Sequence, residues 1–260
     1  MDETPKVAVV TGGSRGIGRG IALALAELGH AIVVNYRSDA DAAEETCREA
    51  RRLGAASARA IRADVADLAD GRRLVAEAVS VAGRIDLWIN NAGIAPERRL
   101  DLLETTPESW DRVLDTNLRG PFFLSQAVAN ELIRLRAEGI VAEPQMVFIT
   151  SISARFASIN RGEYCVAKAG LSMVAQLFAA KLAGAGIRVY EVRPGLIDTD
   201  MTRTVKAAYD ARIAGGLIPI GRWGTAADVG RAVAMIAAGG LRYSTGTVID
   251  VDGGLGLRIL

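Results

Sequence analysis

The 260-residue chain is poor in the groups that many catalytic classes need, with one histidine, two cysteines and 5% aromatic residues. Neither sign of charge dominates, 31 Lys and Arg against 30 Asp and Glu, so net charge argues for neither nucleic acid nor an anionic membrane as a partner. His30 falls between the first helix and the second strand read from the sequence, at that strand's amino end. Parallel sheets gather ligands at their carboxyl ends, so His30 is expected far from the chemistry, and Ser-His-Asp hydrolysis loses its base. Without a histidine pair or clustered cysteines a zinc site lacks its usual ligands, and no metal is expected. Cys47 and Cys165 share no motif and read as free thiols of a reducing compartment. No stretch approaches roughly 18 uninterrupted apolar residues. Met1-Asp2-Glu3-Thr4-Pro5 is acidic, with no basic lead into an apolar run. The expectation is therefore a cytoplasmic chain with neither a membrane span nor a secretory signal.

What is present is a regular alternation of strands and helices in a chain that is 50% hydrophobic, enough for one large core. Lys6 to Val10 reads as a strand running into Thr11-Gly12-Gly13-Ser14-Arg15-Gly16-Ile17-Gly18, and helical spacing follows to about Leu28. Strand, glycine turn and helix form the context in which backbone N–H groups and a helix amino terminus hold a pyrophosphate. Two other motifs overlap the turn. Gly12-Gly13-Ser14-Arg15-Gly16 fits the Gly-x-Ser-x-Gly nucleophile elbow, which needs a histidine after a later acid, and this chain's only histidine comes too early. Gly13 to Gly18 has P-loop spacing, but Arg19-Gly20 stands where Lys and Ser/Thr are required.

Further strands are expected at Ala31 to Asn35, Ala58 to Ala63, Ile85 to Ile89, Met146 to Thr150, Ile187 to Val192 and Thr247 to Val251. Helices are expected at about Asp39 to Leu53, after Asp64-Val65, from near Pro107, around Tyr164 and from Thr225 to Ala238. Thr202 to Trp223 breaks regular periodicity and suits a lid, over about residues 196–224. Residues 137–145 make a long connection to which the sequence assigns no role. The fold class is α/β: a single-domain, Rossmann-like, doubly wound parallel sheet of about seven strands, helices on both faces, spanning 1–260.

Tyr164 and Lys168, four residues apart on a helix, emerge on one face. An ammonium about 4 Å from a phenol, at an effective dielectric of about 20, favours the phenolate by roughly 4 kcal/mol. That would bring a tyrosine from near ~10 to within general acid/base range at neutral pH. Ser151, at the end of the apolar run Met146-Val147-Phe148-Ile149-Thr150, faces the same crevice. Here the chain resembles the short-chain dehydrogenase/reductase family, in its Ser, its Tyr-x-x-x-Lys, its helix Asn (Asn117) and its Thr-Gly-x-x-x-Gly-x-Gly turn, along essentially the whole length.

The resemblance implies catalytic roles for Asn117, Ser151, Tyr164 and Lys168: Ser151 holds a carbonyl, Tyr164 gives its proton, Lys168 lowers the phenol's pKa and holds the nicotinamide ribose, and Asn117 anchors a relay water. It implies cofactor contacts at Thr11, Gly12, Ser14, Arg15, Gly16, Ile17 and Gly18, at Tyr36 and Arg37, at Asp64 and Val65, at Asn91, Ala92 and Gly93, at Tyr164 and Lys168, and at Pro194, Gly195, Ile197 and Thr199. Asp64 reads equally well as a turn or capping residue. No acid stands at the end of the second strand, where Tyr36-Arg37-Ser38 lies; Arg37 and Arg15 favour the extra phosphate of NADP(H) over NAD(H), though solvated surface arginines are the alternative. The implied activity is NADPH-dependent reduction of a ketone, reversible, nearest to 3-oxoacyl-[acyl-carrier-protein] reductases, with sugar or polyol dehydrogenases and a non-enzymatic NADP-binding regulator as alternatives. The implied assembly is a homotetramer, joined through the helices of Asn117 and Tyr164 and the last strand, with an apolar tail from Leu255 to Leu260. Coupling to an acyl carrier protein is expected to be weak, because Ala185 precedes Gly186 where such a reductase carries a basic residue; Arg134, Arg136 and Lys181 are the possible substitutes. Arg155 and Arg161 either face a small anionic substrate or lie on the surface.

Overall fold

Short β-branched runs bounded by turn residues become the strands of one parallel sheet in the computed structural model, which describes residues 4–257. The strands are β1 (Val7–Val10), β2 (Ala31–Tyr36), β3 (Ala58–Arg62), β4 (Leu87–Asn90), β5 (Gln145–Ile149), β6 (Arg188–Pro194) and β7 (Val248–Val251). Their order is β3-β2-β1-β4-β5-β6-β7, every pairing parallel. The chain winds outward from β1 in one direction and then returns to β4 to wind the other way. The crevice at this reversal, outside the strands' carboxyl ends, is where such sheets bind ligands.

Side-chain alternation puts a separate core on each face of the sheet. Trp88, Met146 and Phe148 join one core, which is covered by α3 (Leu68–Ala82), α5 (Gly120–Ala137) and α6 (Gly162–Leu182). Leu87, Ile89 and Val147 join the other, covered by α1 (Gly16–Ala26), α2 (Ala40–Arg52) and α8 (Ala226–Ala237). α1 and α8 cross closely: a Cβ on Gly230 would stand 2.4 Å from the carbonyl oxygen of Gly20. Asp39, Asp67 and Thr225 cap the starts of α2, α3 and α8 with side-chain oxygens, satisfying N–H groups that helices leave open. With the 3₁₀ turn after it, α6 is long and apolar enough to cross a membrane by composition alone. Leu171, Val174 and Ala175 instead pack it into the core of the sheet.

Two expectations change. Thr202 to Trp223, read as irregular, holds most of a 3₁₀ turn (Asp200–Val205) and all of α7 (Lys206–Ala214). A helix of nine residues with Ile213 as its one buried residue offers too short an apolar stripe to show as periodicity. The long 137–145 connection is tied down by Val141, which is fully buried, and by Glu143, which pairs with Arg188 at 3.2 Å and Arg242 at 3.0 Å. His30 is buried at the amino end of β2, and its burial, with Lys6 nearby, lowers its pKa. Of the tail, residues 258–260 lie outside the described residues, and Leu257 is exposed.

Candidate active site

The crevice is a cleft of about 550 Å³. Its floor is the glycine turn, which closes on itself: a Cβ on Gly18 would sit 2.2 Å from the Gly12 carbonyl oxygen. Gly12 and Gly16 take φ of +60° and +54°, which favour glycine. Gly12, Ser14, Arg15, Gly16, Ile17 and Gly18 all line the cleft, and Arg15 leads into α1. Thr11 is buried beneath them. Its hydroxyl donates to Ile89 O at 3.0 Å and accepts from the N–H groups of Asn91 at 2.9 Å and Ala92 at 3.0 Å. The Asn91 amide donates to Thr11 O at 2.8 Å and Gly12 O at 3.2 Å, so both side chains fix the turn's shape. Asn91, Ala92 and Gly93 line the cleft beside it.

Tyr36 and Arg37, at the end of β2, form one wall with Asp64 and Val65. Asp64 holds its own turn, accepting from Ala66 N at 2.9 Å, while its other oxygen lies 4.0 Å from Arg37. Thr199 approaches Gly16 from the opposite wall, its Cγ2 lying 3.6 Å from where a Cβ on that glycine would be. Pro194, Gly195 and Ile197 stand behind that wall. Gly195 N–H donates to Val251 O at 3.0 Å, and the Ile197 side chain is buried in the core, so only its main chain is available to a ligand.

Tyr164 and Lys168 line the cleft, Ser151 lies beside the Tyr164 phenol, and Asn117 is buried next to Lys168 beneath Gly93. Ser151 follows β5 and starts a 3₁₀ turn (Ile152–Ala154), its Oγ accepting from Ser153 N at 3.1 Å. The same hydroxyl acts on the Tyr164 phenol, favouring its charged form. Asn117 lies in a π-helical turn (Asp115–Arg119) joining α4 (Pro107–Leu114) to α5, and its amide exchanges two bonds with Ile94, 2.7 Å from N and 2.8 Å to O. Pro121 has no N–H to offer the Asn117 carbonyl four residues back, so the α-helical ladder cannot close there. A Cβ on Gly93 would lie 3.1 Å from Asn117 Oδ1 and 3.6 Å from Lys168 Nζ, so a side chain there would crowd both.

The electrostatics correct one expectation. Lys168 Nζ sits 5.8 Å from the Tyr164 ring centroid and donates to Ile149 O at 3.0 Å. The phenol is not brought down: burial raises the pKa of Tyr164, opposed by the charge of Arg161, the Ser151 hydrogen bond and Arg99. Burial dominates because the phenolate would lose its hydration, and Lys168 itself is driven down to about 8 by the same cause, with Glu191 opposing. Two groups of residues escaped the sequence reading. One is a buried network in which Glu191 accepts from Thr150 at 2.6 Å, Ser172 at 2.7 Å and Arg193 at 3.0 Å, directly behind Ser151 and Lys168. An acid inside the apolar strand β6 was its available signal. The other is Arg99, from the β4–α4 connection, for which the sequence gives none.

A family profile described as enoyl-(acyl carrier protein) reductase matches residues 12–256. The 3-oxoacyl-[acyl-carrier-protein] reductase FabG of Staphylococcus epidermidis is 37% identical over 250 residues, 96% of this chain and 98% of its own length. The chain belongs to the short-chain dehydrogenase/reductase family. Among solved members, a 3-oxoacyl-[acyl-carrier protein] reductase from Brucella melitensis in complex with NAD is 42% identical, with a TM-score of 0.94 over 100% of both chains. A putative gluconate dehydrogenase from Agrobacterium tumefaciens is 31% identical, with a TM-score of 0.88 over 98% of this chain and 97% of its own. Membership makes this protein a nicotinamide-dependent oxidoreductase of keto and alcohol groups.

Proposed function

We propose that this short-chain reductase uses NADPH to reduce a small ketone to a secondary alcohol, reversibly. The observation that carries the reading is that Tyr164 and Lys168 line a cleft, with Ser151 beside the phenol and Asn117 beside the lysine, and that the glycine turn at its floor leaves no room for a Cβ at Gly18. That floor fits a dinucleotide pyrophosphate, with N–H groups of the turn and of α1 as donors. When bound, the dinucleotide supplies the hydride. Ser151 holds the carbonyl oxygen, and Tyr164 gives it a proton. Lys168 holds the ribose. The Asn117 carbonyl, denied its α-helical donor by Pro121, anchors the water through which the proton is replaced. Arg37 and Arg15 receive the 2′-phosphate, with Arg37 turning to it from Asp64, which lies 4.0 Å away. Residues 196–224 act as the lid.

A 3-oxoacyl thioester is a candidate substrate because the FabG relatives are named for it. Weak coupling to an acidic carrier is supported by Arg134, which is held by Glu131 and Glu138, and by Arg136, which is turned onto Ala142 O. The test compares one 3-oxoacyl chain as a short free thioester and on acyl carrier protein, following NADPH oxidation. Comparable turnover is expected; a carrier preference above about a hundredfold that weakens with salt would restore carrier docking. Assembly as a homotetramer is supported by the exposed apolar side chains Phe123, Val166, Met173 and Leu177 on α5 and α6. Light scattering showing a monomer at micromolar concentration would contradict it. A reducing cytoplasmic setting suits the free thiols Cys47 and Cys165.

A further inference from the structure

Arginines near the catalytic hydroxyls fall into two groups. Arg193 is held by Glu191 at 2.9 Å, Arg155 by Asp250 at 3.8 Å and Arg112 by Glu97. Arg155, one of two arginines read from the sequence as able to face an anion, is thus turned toward β7. Arg161 and Arg99 have no carboxylate partner among the described residues. Arg161 precedes α6 and stacks its guanidinium carbon 5.3 Å from the centroid of the Tyr164 ring, with Nε donating to Ser158 Oγ at 3.2 Å. Arg99 is half-buried and makes no hydrogen bond among the described residues. Burial and then the Arg161 charge work against the Arg99 guanidinium, and the groups in its favour are the phenols of Tyr209 and Tyr164. The carboxylates nearest in sequence are committed elsewhere: Glu97 to Arg112, Asp101 to the Leu103 N–H at 3.0 Å, and Glu163 to Ser109 at 2.7 Å, its other oxygen being buried.

The two arginines are held together by packing. Leu102, three residues after Arg99, lies against Gly162, its Cδ1 2.6 Å from where a Cβ on that glycine would be. The β4–α4 connection is thus clamped onto the start of α6, bringing Arg99 near Arg161 at the Tyr164 ring, with no carboxylate partner for either among the described residues. Such an arrangement is costly while empty and is relieved by an oxyanion, which guanidinium forks bind in two-point fashion.

We infer that Arg99 and Arg161 form an anion subsite beside Tyr164, which selects ketones that carry a carboxylate, that is, small oxo acids. The inference rests on the carbonyl-reductase reading and narrows its substrate class, from any ketone or thioester to one with a free carboxylate on the side of the carbonyl away from the dinucleotide.

The test is steady-state reduction of matched 2-, 3- and 4-oxo acids and their methyl esters by wild type, Arg99→Gln, Arg99→Lys and Arg161→Gln. Folding is checked by circular dichroism and by dinucleotide binding. Wild type is expected to favour at least one acid over its ester by tenfold or more in kcat/KM. Each glutamine variant should bring that ratio toward one, chiefly through the KM of the acid, and Arg99→Lys should restore part of it. Equal use of acid and ester by wild type would overturn the subsite. So would variants that lose acid and ester activity equally, since the arginines would then act only through Tyr164. Failure of wild type to reduce any acid, ester or neutral ketone with either dinucleotide would overturn the carbonyl-reductase reading itself.

Discussion

From β1 to the turn after β4 the cleft is shaped mostly by main chain, and beyond that turn it is walled by side chains. In the first region the shape comes from glycines and from two polar side chains, Thr11 and Asn91, whose bonds tie the glycine turn to the end of β4 through backbone atoms. In the second, the functional groups come from a strand end, the start of a long helix, a π-helical turn and the β4–α4 connection, and several carry uncompensated charge or buried polar atoms. Ser153 Oγ and Glu163 Oε2 are buried without partners there. A wall of backbone amides recognises what all dinucleotides share. A wall of side chains can be exchanged residue by residue, so substrate choice belongs to it.

If the contrast holds, substitutions on the side-chain wall change chemistry, and substitutions on the backbone wall change which dinucleotide binds. The largest effect is expected of Tyr164→Phe, which keeps the ring and its packing but removes the proton donor. Turnover should fall by about a hundredfold or more while dinucleotide affinity stays near normal. Near-normal turnover in stopped assays would place the proton donor elsewhere and erase the contrast.

Next is Arg37→Asp. Arg37 is a charge placed on the backbone wall, so its reversal should move preference from NADPH toward NADH by roughly 1.5–3 kcal/mol. Fluorescence titration with each dinucleotide reads the ratio, and an unchanged ratio would remove Arg37 from the phosphate site.

A smaller effect sharpens the role of the buried network. Glu191 supports the charge on Lys168, whose pKa is about 8 in the folded protein. As pH rises through that value Lys168 loses its proton, so kcat/KM that depends on the charged lysine should decline on the alkaline side. Glu191→Gln keeps the side-chain shape but removes the support, so the same decline should begin at lower pH. An alkaline limb unmoved in the variant would separate Glu191 from catalysis.

The smallest effect concerns the sheet's far end, where nothing chemical is expected. His30 has its pKa lowered from 6.5 by burial and by Lys6. The unfolded chain therefore takes up a proton near pH 6.5 that the folded chain resists, and stability falls as pH drops below that value. Urea midpoints measured between pH 7.5 and 5.5 should fall more steeply for wild type than for His30→Gln, with kcat of the two alike at pH 7.5. Equal slopes would show that another group carries the acid sensitivity.

The sequence by itself determined the sheet and the backbone wall. Apolar runs spaced by helical stretches specify parallel strands with two covered faces, and the eight residues from Thr11 to Gly18 specify a turn whose shape depends on absent side chains. Such features are local, so their spacing is written in consecutive positions. The candidate catalytic set was legible through a helical interval, Tyr164 to Lys168, and through the family's pattern around it. Only the tertiary structure decided what surrounds the phenol. Residues 99, 161 and 191 lie on three separate elements, and whether their charges oppose, support or ignore one another depends on distances that sequence separation does not encode. Burial had the same character. Intervals place Lys168 on the face of Tyr164, but the desolvation that raises one pKa and lowers the other follows from the packing of α6 against the sheet.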